Sequence, residues 1–356
     1  MTALHATGAT LVLAIETSCD ETAASVVAGG REVRSSVVSS QVDLHARFGG
    51  VVPEIAGRAH LERIVPVVTE ALEQAGIDLP GGNGVDGGGG EGAPGGIRAV
   101  AATVGPGLAG ALLVGVSFAK SLALCWDVPF VGVNHLEGHL YASLLEEPDL
   151  PLPATVLLVS GGHTLLVAME GPGSYEVLGG TVDDAAGEAF DKVARYLGLG
   201  YPGGPGIERA AASGDPAAIA LPRPMLAEGL DLSFSGLKTA VVQHVTKHPE
   251  VATPDVAASF QQAAVDVLVH KTLRAAERRG ARSVCLAGGV AANGPLRAQL
   301  GAACRDRGLA CFLPSREMCT DNAAMIGAAA WFRLAADGPT PLSAGADASL
   351  RFPARR

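Results

Sequence analysis

Two histidines one helical turn apart, His135 and His139, are the residues of this sequence best suited to hold a metal ion. They lie in the stretch VNHLEGHLYA, and residues four apart share one face of a helix. Protease zinc helices read H-E-x-x-H, with a general-base glutamate directly after the first histidine. Here the acid is Glu137, two positions on and about 200° round the helix. The protease base is therefore missing, and the histidines alone fit a metal site and an ordinary helix surface equally well.

A third ligand would favour the metal site, and Asp321 in EMCTDNAAMIG offers a carboxylate at the predicted start of a late helix. A helix N-cap explains an aspartate at that position as well. Two histidines and one carboxylate leave open coordination positions. Such a site suits iron, zinc or manganese, and the sequence does not choose among them.

A turn of small residues is the second candidate for chemistry. VSGGHT joins two predicted strands through Ser160, Gly161 and Gly162, whose backbone N–H groups can approach an anion without obstruction by Cβ atoms. The stretch LAGGVAANGPL, which contains Asn293, lies between a predicted strand and helix and could cradle a nucleoside. Each such turn taken alone is equally explained as a tight connection. No G-x-x-x-x-G-K-[ST] run occurs, which excludes a P-loop on its own motif.

Acidic residues form two further groups. ETSCDET makes a turn between the first two predicted strands, with Asp20 and Glu21 where the second turn has glycines, and a metal, an amine or a sugar hydroxyl would suit these acids. In DDAAGEAFDKVARYLG, helical spacing puts Asp184, Glu188 and Asp191 on one face, which is equally explained as a solvated surface. Two positions in the following YPGGPGIE could border a ligand, Gly204 and Glu208.

The elements that would position these residues alternate between strand and helix. Apolar runs predict strands at Val12 to Ile15, Ala24 to Val27, Ala99 to Thr103 and Phe130 to Val133. The stretch ATVLLVSGGHTLLVAME begins the second half as the first half begins, with strand, turn and strand. This weak internal repeat predicts two α/β lobes, 10–154 and 155–324, with a C-terminal helix at 325–340 that packs back on the first lobe.

Composition limits the function classes. The glycine-rich segment 80–96 has too little apolar surface to pack, so we expect a flexible insertion in the first lobe. No apolar run is long enough for a membrane helix, and the first residues lack a secretory leader, so we expect a soluble cytoplasmic protein without membrane contact. Six dispersed cysteines fit a reducing compartment. A formal net charge of −10 repels polyphosphate, so a nucleic-acid substrate would need a local basic patch or a partner.

The ordered set of motifs resembles one family. ETSCDETAASVV, VGPGLAGALLVG, VNHLEGH, LLVSGGHT, DDAAGEAFDKVAR, FSGLKTA, AGGVAANGPLR and CTDNAAMI together are similar to the TsaD family, the tRNA N6-adenosine threonylcarbamoyltransferases. The resemblance runs from about Leu11 to Ala335. It implies a two-lobed α/β fold of the actin-like, Hsp70-like ATPase (ASKHA) class, with duplicated lobes and a central ligand cleft.

The resemblance also implies site residues. His135, His139 and Asp321 would bind one divalent metal ion, with Fe²⁺ favoured and Zn²⁺ an alternative. The residues that would contact the nucleotide-bearing substrate are Leu158, Val159, Ser160, Gly161, Gly162, Asp191, Gly204, Glu208 and Asn293. As a hypothesis of mechanism, Asp20 or Glu21 would orient the adenine amine or accept its proton.

The implied reaction moves a threonylcarbamoyl group from threonylcarbamoyl-AMP to N6 of adenosine 37, in tRNAs that read codons beginning with A. The implied partners are tRNA, a small paralogue without the metal histidines, a P-loop ATPase, and a synthase that supplies the adenylate. Rival interpretations are a carbamoyltransferase or small-molecule kinase of the same fold, a metal-dependent glycoprotease, and a non-catalytic subunit of the modification complex.

Overall fold

The computed structural model describes residues 10–78 and 93–353. Most of the predicted insertion at 80–96 lies outside these residues, and only its last four positions are described. The strands are, in chain order, β1 (Leu11–Glu16), β2 (Glu21–Ala28), β3 (Glu32–Ser40), β4 (Ile97–Gly105), β5 (Phe130–Asn134), β6 (Ala154–Val159), β7 (Thr164–Gly171), β8 (Ser174–Gly180), β9 (Ser283–Ala287) and β10 (Ala310–Phe312).

Helices connect and cover these strands. They are α1 (Val42–Ala46), α2 (Pro53–Gln74), α3 (Ala109–Cys125), α4 (His135–Glu146), α5 (Ala186–Tyr196), α6 (Gly203–Ala211), α7 (Ser235–Lys247), α8 (Thr253–Arg279), α9 (Gly294–Arg305), α10 (Arg316–Cys319) and α11 (Ala323–Asp337). Short 3₁₀ turns occur at Pro94–Gly96 and Gly289–Ala292. None of the helices described combines the length and the apolar character needed to span a bilayer.

Two five-stranded sheets repeat one topology. The first has the order β3-β2-β1-β4-β5 and the second the order β8-β7-β6-β9-β10. In each, an antiparallel three-stranded meander is extended by two parallel strands on the other side of its first strand. The internal repeat predicted from the hairpin sequences is therefore present strand by strand, and each predicted strand of the first half is observed.

Each sheet belongs to a separate compact unit. Unit 1 contains Val51–Pro148 and Asp321–Pro353 together with the described part of the first 43 residues, and unit 2 contains Leu44–Gly50 and Asp149–Thr320. In unit 1, α2 and α3 pack on one another and on the sheet, whereas α11 packs against α4 and the central strands. In unit 2, α8 is the long central helix and packs with α6, α9 and β6. The lobe boundaries expected from the sequence, at 154 and 324, stay predictions.

Candidate functional site

The first two candidate ligands lie at the start of α4. Asn134 ends β5, and its side-chain oxygen accepts hydrogen bonds from the N–H groups of Leu136 and Glu137, so the predicted N-cap is observed. This cap places His135 in the first turn of the helix and His139 one turn later. Both imidazoles are buried, and their ring centroids lie 4.8 Å apart.

The third candidate ligand, Asp321, directly precedes α11. The N-cap of that helix is Asn322, whose side chain accepts a hydrogen bond from the N–H of Met325, so the alternative of Asp321 as the cap is wrong. The Asp321 carboxylate instead faces the histidines. Its Oδ1 lies 3.5 Å from His135 Nε2 and 3.2 Å from His139 Nε2.

This group fits a bound metal ion. One ligand atom from each of His135, His139 and Asp321 can be chosen so that all lie within 4.8 Å of one another. His139 is fully buried, yet neither of its ring nitrogens makes a well-aligned hydrogen bond among the described residues; Nε2 only approaches the Asp321 carboxylate, at 3.2 Å. A buried imidazole without well-aligned partners is costly, and coordination by an ion would satisfy it. The site therefore has the donors and the unmet demand of a two-histidine, one-carboxylate metal centre.

The glutamate between the two histidines serves another purpose. Glu137 is 1% exposed and pairs through Oε2 with Nε of Arg333 on α11. This pairing directs the carboxylate to α11 and away from the histidine face, as the helical spacing predicts. This helix therefore has no glutamate at the position where zinc proteases carry their general base.

A second carboxylate reaches the cluster from β1. Strands β1, β4 and β5 are parallel neighbours, so their carboxyl ends bring Glu16, Thr103 and His135 to one edge of the sheet. Glu16 is fully buried, and its Oε2 lies 3.0 Å from His135 Nδ1 and 2.6 Å from the Thr103 hydroxyl, which donates to it. Ser18 Oγ also lies 3.1 Å from His135 Nδ1.

These charges shift the pKa values of the cluster. Burial lowers the pKa of His135, but the carboxylates of Asp321 and Glu16 outweigh it and raise the pKa to about 9. Burial raises the pKa of Asp321, and the two histidines overcome this effect and bring it down to about 2. The carboxylate is therefore ionised and available as a ligand at neutral pH.

The acids proposed for proton transfer, Asp20 and Glu21, lie in the turn before β2 and at its first residue. Burial raises the pKa of Glu21, and the charges of Asp321 and Asp20 add to this effect, so the pKa is about 9. A carboxyl group that keeps its proton at neutral pH can donate a hydrogen bond but cannot take up a further proton. Glu21 is therefore poorly suited to accept a proton at neutral pH.

The substrate residues expected from the sequence lie in unit 2. Leu158 and Val159 end β6, and the turn Ser160–Gly162 leads to β7. The turn is closed by a hydrogen bond from Ser160 N–H to the His163 carbonyl, 2.8 Å long. The backbone N–H groups of Gly161 and Gly162 have no hydrogen-bond partner among the described residues, and both glycines are exposed. They can therefore receive an anion.

The remaining substrate residues adjoin one another at helix starts. Asp191 Oδ1 accepts a hydrogen bond from Gly203 N–H at the start of α6, 2.8 Å away. Glu208 on α6 accepts from the Asn293 amide at 3.2 Å and from the backbone N–H of Gly294 at the start of α9. Asn293 is also the N-cap of α9. These contacts bring Asp191, Glu208 and Asn293 to helix N-termini, and Gly204 lies in the first turn of α6.

The start of α5 links this group to the turn. Gly187 N–H donates to the Ser160 carbonyl at 3.3 Å. A Cβ atom at Gly187 would lie 2.5 Å from that carbonyl oxygen, and one at Gly288 would lie 2.6 Å from the Val159 carbonyl oxygen. Glycine is therefore required on both sides of the turn, and the helix dipole of α5 points at it.

The acidic stretch DDAAGEAF differs from its predicted arrangement. Helix α5 begins at Ala186, so Asp184 precedes it and does not share a helical face with Glu188 and Asp191; that prediction is wrong. Asp184 instead binds Lys192 and Lys238 at 3.0 and 2.6 Å. Pairing of Lys192 with Glu188 is observed, at 2.7 Å.

Asp183, which the sequence analysis did not single out, caps another helix. Its carboxylate accepts from the N–H of Phe234 and from the backbone and hydroxyl of Ser235 at the start of α7. Burial raises the pKa of Asp183, but these bonds and one from the Ser233 hydroxyl outweigh that effect and lower it. The sequence did contain a signal for this cap. Asp183 and Asp184 are adjacent acids after a strand, and two adjacent carboxylates need two separate sets of hydrogen-bond partners.

Comparisons with known proteins agree with this architecture. The family model of TsaD, tRNA N6-adenosine threonylcarbamoyltransferase, matches residues 32–328. A relative of that name from Symbiobacterium thermophilum is 56% identical over 325 residues, which cover 90% of this chain and 91% of the relative. Another, from Moorella thermoacetica, is 55% identical over 342 residues, 95% of this chain and 96% of the relative.

Solved structures with little sequence identity share the fold. Full-length HypF in its phosphate- and nucleotide-bound form has a TM-score of 0.61 at 14% identity, covering 95% of this chain and 48% of HypF. Component A of (R)-2-hydroxyglutaryl-CoA dehydratase from Acidaminococcus fermentans has a TM-score of 0.51 at 14% identity, covering 92% and 100%. The predicted actin-like α/β class is confirmed by these likenesses and by the duplicated sheet. The family model and the relatives show that this chain belongs to the tRNA N6-adenosine threonylcarbamoyltransferases, a family of tRNA-modifying transferases.

Proposed function

We propose that this chain transfers the threonylcarbamoyl group of threonylcarbamoyl-AMP to N6 of adenosine 37, in tRNAs that read codons beginning with A. The product is N6-threonylcarbamoyladenosine. The observation that carries the proposal is the buried cluster of His135, His139 and Asp321, in which His139 makes no well-aligned hydrogen bond among the described residues. A kinase or carbamoyltransferase that shared only the nucleotide turns would not need this cluster.

In this proposal, His135, His139 and Asp321 hold one divalent ion, with Fe²⁺ favoured and Zn²⁺ as the alternative. The bound ion would supply Lewis-acid and template chemistry for phosphate or carbamoyl oxygens. Burial of both histidines keeps water from competing for the donors. The ionised Asp321 contributes the single negative charge of the ligand set.

The turn Ser160–Gly162 would receive the adenylate phosphate through the N–H groups of Gly161 and Gly162. The transfer breaks the bond between the carbamoyl carbon and a phosphate oxygen, so AMP leaves with negative charge on that oxygen. The nearby start of α5 offers a dipole that stabilises this charge. Leu158, Val159, Asp191, Gly204, Glu208 and Asn293 would complete the contacts to the nucleotide.

The exocyclic amine of adenine is a weak nucleophile and must lose a proton as the new C–N bond forms. Asp20 would accept this proton, and the protonated Glu21 beside it would orient the amine or the carbamoyl oxygen by donating a hydrogen bond. Bases of an anticodon loop are already unstacked, so adenosine 37 can reach such a site without melting a duplex.

Partners follow from the charge. With a formal net charge of −10, this chain is poorly suited to hold tRNA alone. The charge supports the need for a partner, and from family membership we propose that the chain works in the cytoplasm with a small paralogue that lacks the metal histidines and with a P-loop ATPase. A separate synthase would supply threonylcarbamoyl-AMP.

Two experiments test the proposal. Mass spectrometry of tRNA nucleosides after depletion of the protein should find threonylcarbamoyladenosine lost, and an unchanged level would overturn the proposed reaction. In vitro, His139→Ala should lose both metal and transfer. Full transfer by a His139→Ala protein without metal would refute the role assigned to the ion.

A further inference from the structure

Glu16 is a fully buried carboxylate whose contacts account for each of its oxygens. Oε1 accepts a hydrogen bond from the backbone N–H of Ser18 at 2.5 Å. Oε2 accepts one from the Thr103 hydroxyl at 2.6 Å and lies 3.0 Å from His135 Nδ1. A backbone N–H can only donate, and the hydroxyl also donates here, so both carboxyl oxygens act as acceptors.

This arrangement assigns the tautomer of His135 from the hydrogen-bond network. An oxygen that already accepts from Thr103 faces Nδ1, so the proton between the two groups lies on the nitrogen. The Ser18 hydroxyl, 3.1 Å from the same nitrogen, can accept the weaker branch of this bond. An ion that binds at Nε2 displaces the proton there, and with Nδ1 protonated the Nε2 lone pair is then free for the ion; Nε2 is also the atom that faces Asp321.

His139 lacks such a support. Its Nδ1 is buried and has no hydrogen-bond partner among the described residues. The Nδ1 atom of His135 thus has a carboxylate partner, whereas the Nδ1 atom of His139 has none among the described residues. Because only His135 has a carboxylate at Nδ1, loss of the Glu16 carboxylate should disturb the orientation of His135 and leave that of His139 unchanged.

We propose that Glu16 is a positioning residue, which holds His135 with Nδ1 protonated and Nε2 directed at the metal position. This inference rests on the proposed metal role of His135, His139 and Asp321. Glu16 does not touch the metal position itself; it acts through the imidazole and, by its bond to Ser18, also holds the turn that leads to Asp20. Carboxylates that support ligating histidines typically contribute 10- to 100-fold in metal affinity.

The test is Glu16→Gln, read out as affinity for Zn²⁺ and Co²⁺ by competition with a chromogenic chelator. A glutamine has one oxygen for three donors, and an NH₂ group turned to Nδ1 would drive the imidazole proton to Nε2, where the ion binds. We expect affinity about 10- to 100-fold weaker than wild type and an altered visible spectrum of the Co²⁺ form.

The matched control is Glu137→Gln, because it makes the same change in another buried carboxylate of the same unit, one that pairs with Arg333. It should bind both ions as wild type does. If Glu16→Gln does not fold, Glu16→Asp retains the charge but withdraws the carboxylate from Nδ1 by about one C–C bond, and the same weakening is expected.

Wild-type affinity in folded Glu16→Gln would overturn the inference, and so would an equal loss in Glu137→Gln, because the effect would then be general loosening of unit 1. Failure of the wild-type protein to bind Zn²⁺ or Co²⁺ is a different result. It would remove the proposed metal centre, and the role of Glu16 with it.

Discussion

Substitution of Gly161 by alanine should impair ligand binding at the Ser160–Gly162 turn without lowering the stability of the protein. A Cβ atom at Gly161 would meet no atom within 4 Å, and its backbone does not have the positive φ that favours glycine. Gly161→Ala should therefore leave stability unchanged or raise the free energy of unfolding by about 0.4–1 kcal/mol, because the unfolded chain loses freedom. If the turn holds a phosphate, the new methyl group occupies part of that space.

The expected loss of binding can be worked out from the hydrogen bonds. Loss of one charge-assisted hydrogen bond to the phosphate costs about 1.5–3 kcal/mol. The dissociation constant should therefore rise roughly 10- to 150-fold. The assay is calorimetric titration with a non-hydrolysable threonylcarbamoyl adenylate, together with thermal denaturation. Gly171→Ala is the matched control, because Gly171 has equally open surroundings at the far end of β7, about 24 Å along the strand.

Gly187→Ala is the opposite case. Its Cβ would lie 2.5 Å from the Ser160 carbonyl oxygen and 2.8 Å from Gly161 Cα, so the turn or α5 must shift. We expect a loss of about 1–3 kcal/mol in stability together with weaker binding. Wild-type affinity in a stable Gly161→Ala protein would refute the idea that the phosphate lies on this turn.

Three other perturbations address the rest of unit 1. Glu137→Gln should lower the free energy of unfolding in urea by about 2–3 kcal/mol, less than for a wholly buried pair because Arg333 is 20% exposed, while transfer continues. Lost transfer in a folded variant would contradict a purely structural role for Glu137. Burial lowers the pKa of His60, so the free energy of unfolding of the wild type should fall as pH drops below about 6.5 towards that lower pKa. Chemical denaturation from pH 8 to 5 should find a shallower fall in His60→Gln. Equal slopes of stability against pH in the two proteins would contradict the lowered pKa of His60. Zn²⁺ at about 100 times its dissociation constant should add about 2.7 kcal/mol to stability, measured by thermal shift, and an equal gain in Asp321→Asn would place the ion elsewhere.

Local periodicity was sufficient to predict much of the candidate metal site. The i, i+4 spacing put His135 and His139 on one face, the cap at Asn134 fixed where the helix begins, and the angle to Glu137 excluded the protease base. Asp321 was different, because spacing along the chain carries no information about a partner so distant. Its inclusion depended on the resemblance, and local sequence favoured an N-cap that Asn322 provides instead.

Contacts between strand ends could not be predicted from the sequence. Glu16 reaches His135 because β1, β4 and β5 are parallel neighbours, and that order cannot be read from apolar runs alone. The prediction of helix boundaries was limited for a similar reason. Helix α5 begins at Ala186, where Gly187 packs on the Ser160 turn, and Asp184 therefore lies before the helix. Long-range packing decides both cases, whereas periodicity reports only the local chain.

The return of the chain into unit 1 at Asp321 has a consequence for biosynthesis. Most of unit 2, Asp149–Thr320, lies between α4 and α11, so a ribosome makes His135 and His139 roughly 180 residues before Asp321. An ion held by all three would close a loop of that length. Helix α11, which covers β1 and β2 and packs on α4, is also made late. A nascent chain therefore cannot assemble all three ligands until unit 2 has been translated. Metal loading at the proposed centre would therefore depend on the completion of synthesis, and a chain interrupted before Asp321 would have only the two histidines of the candidate ligand set.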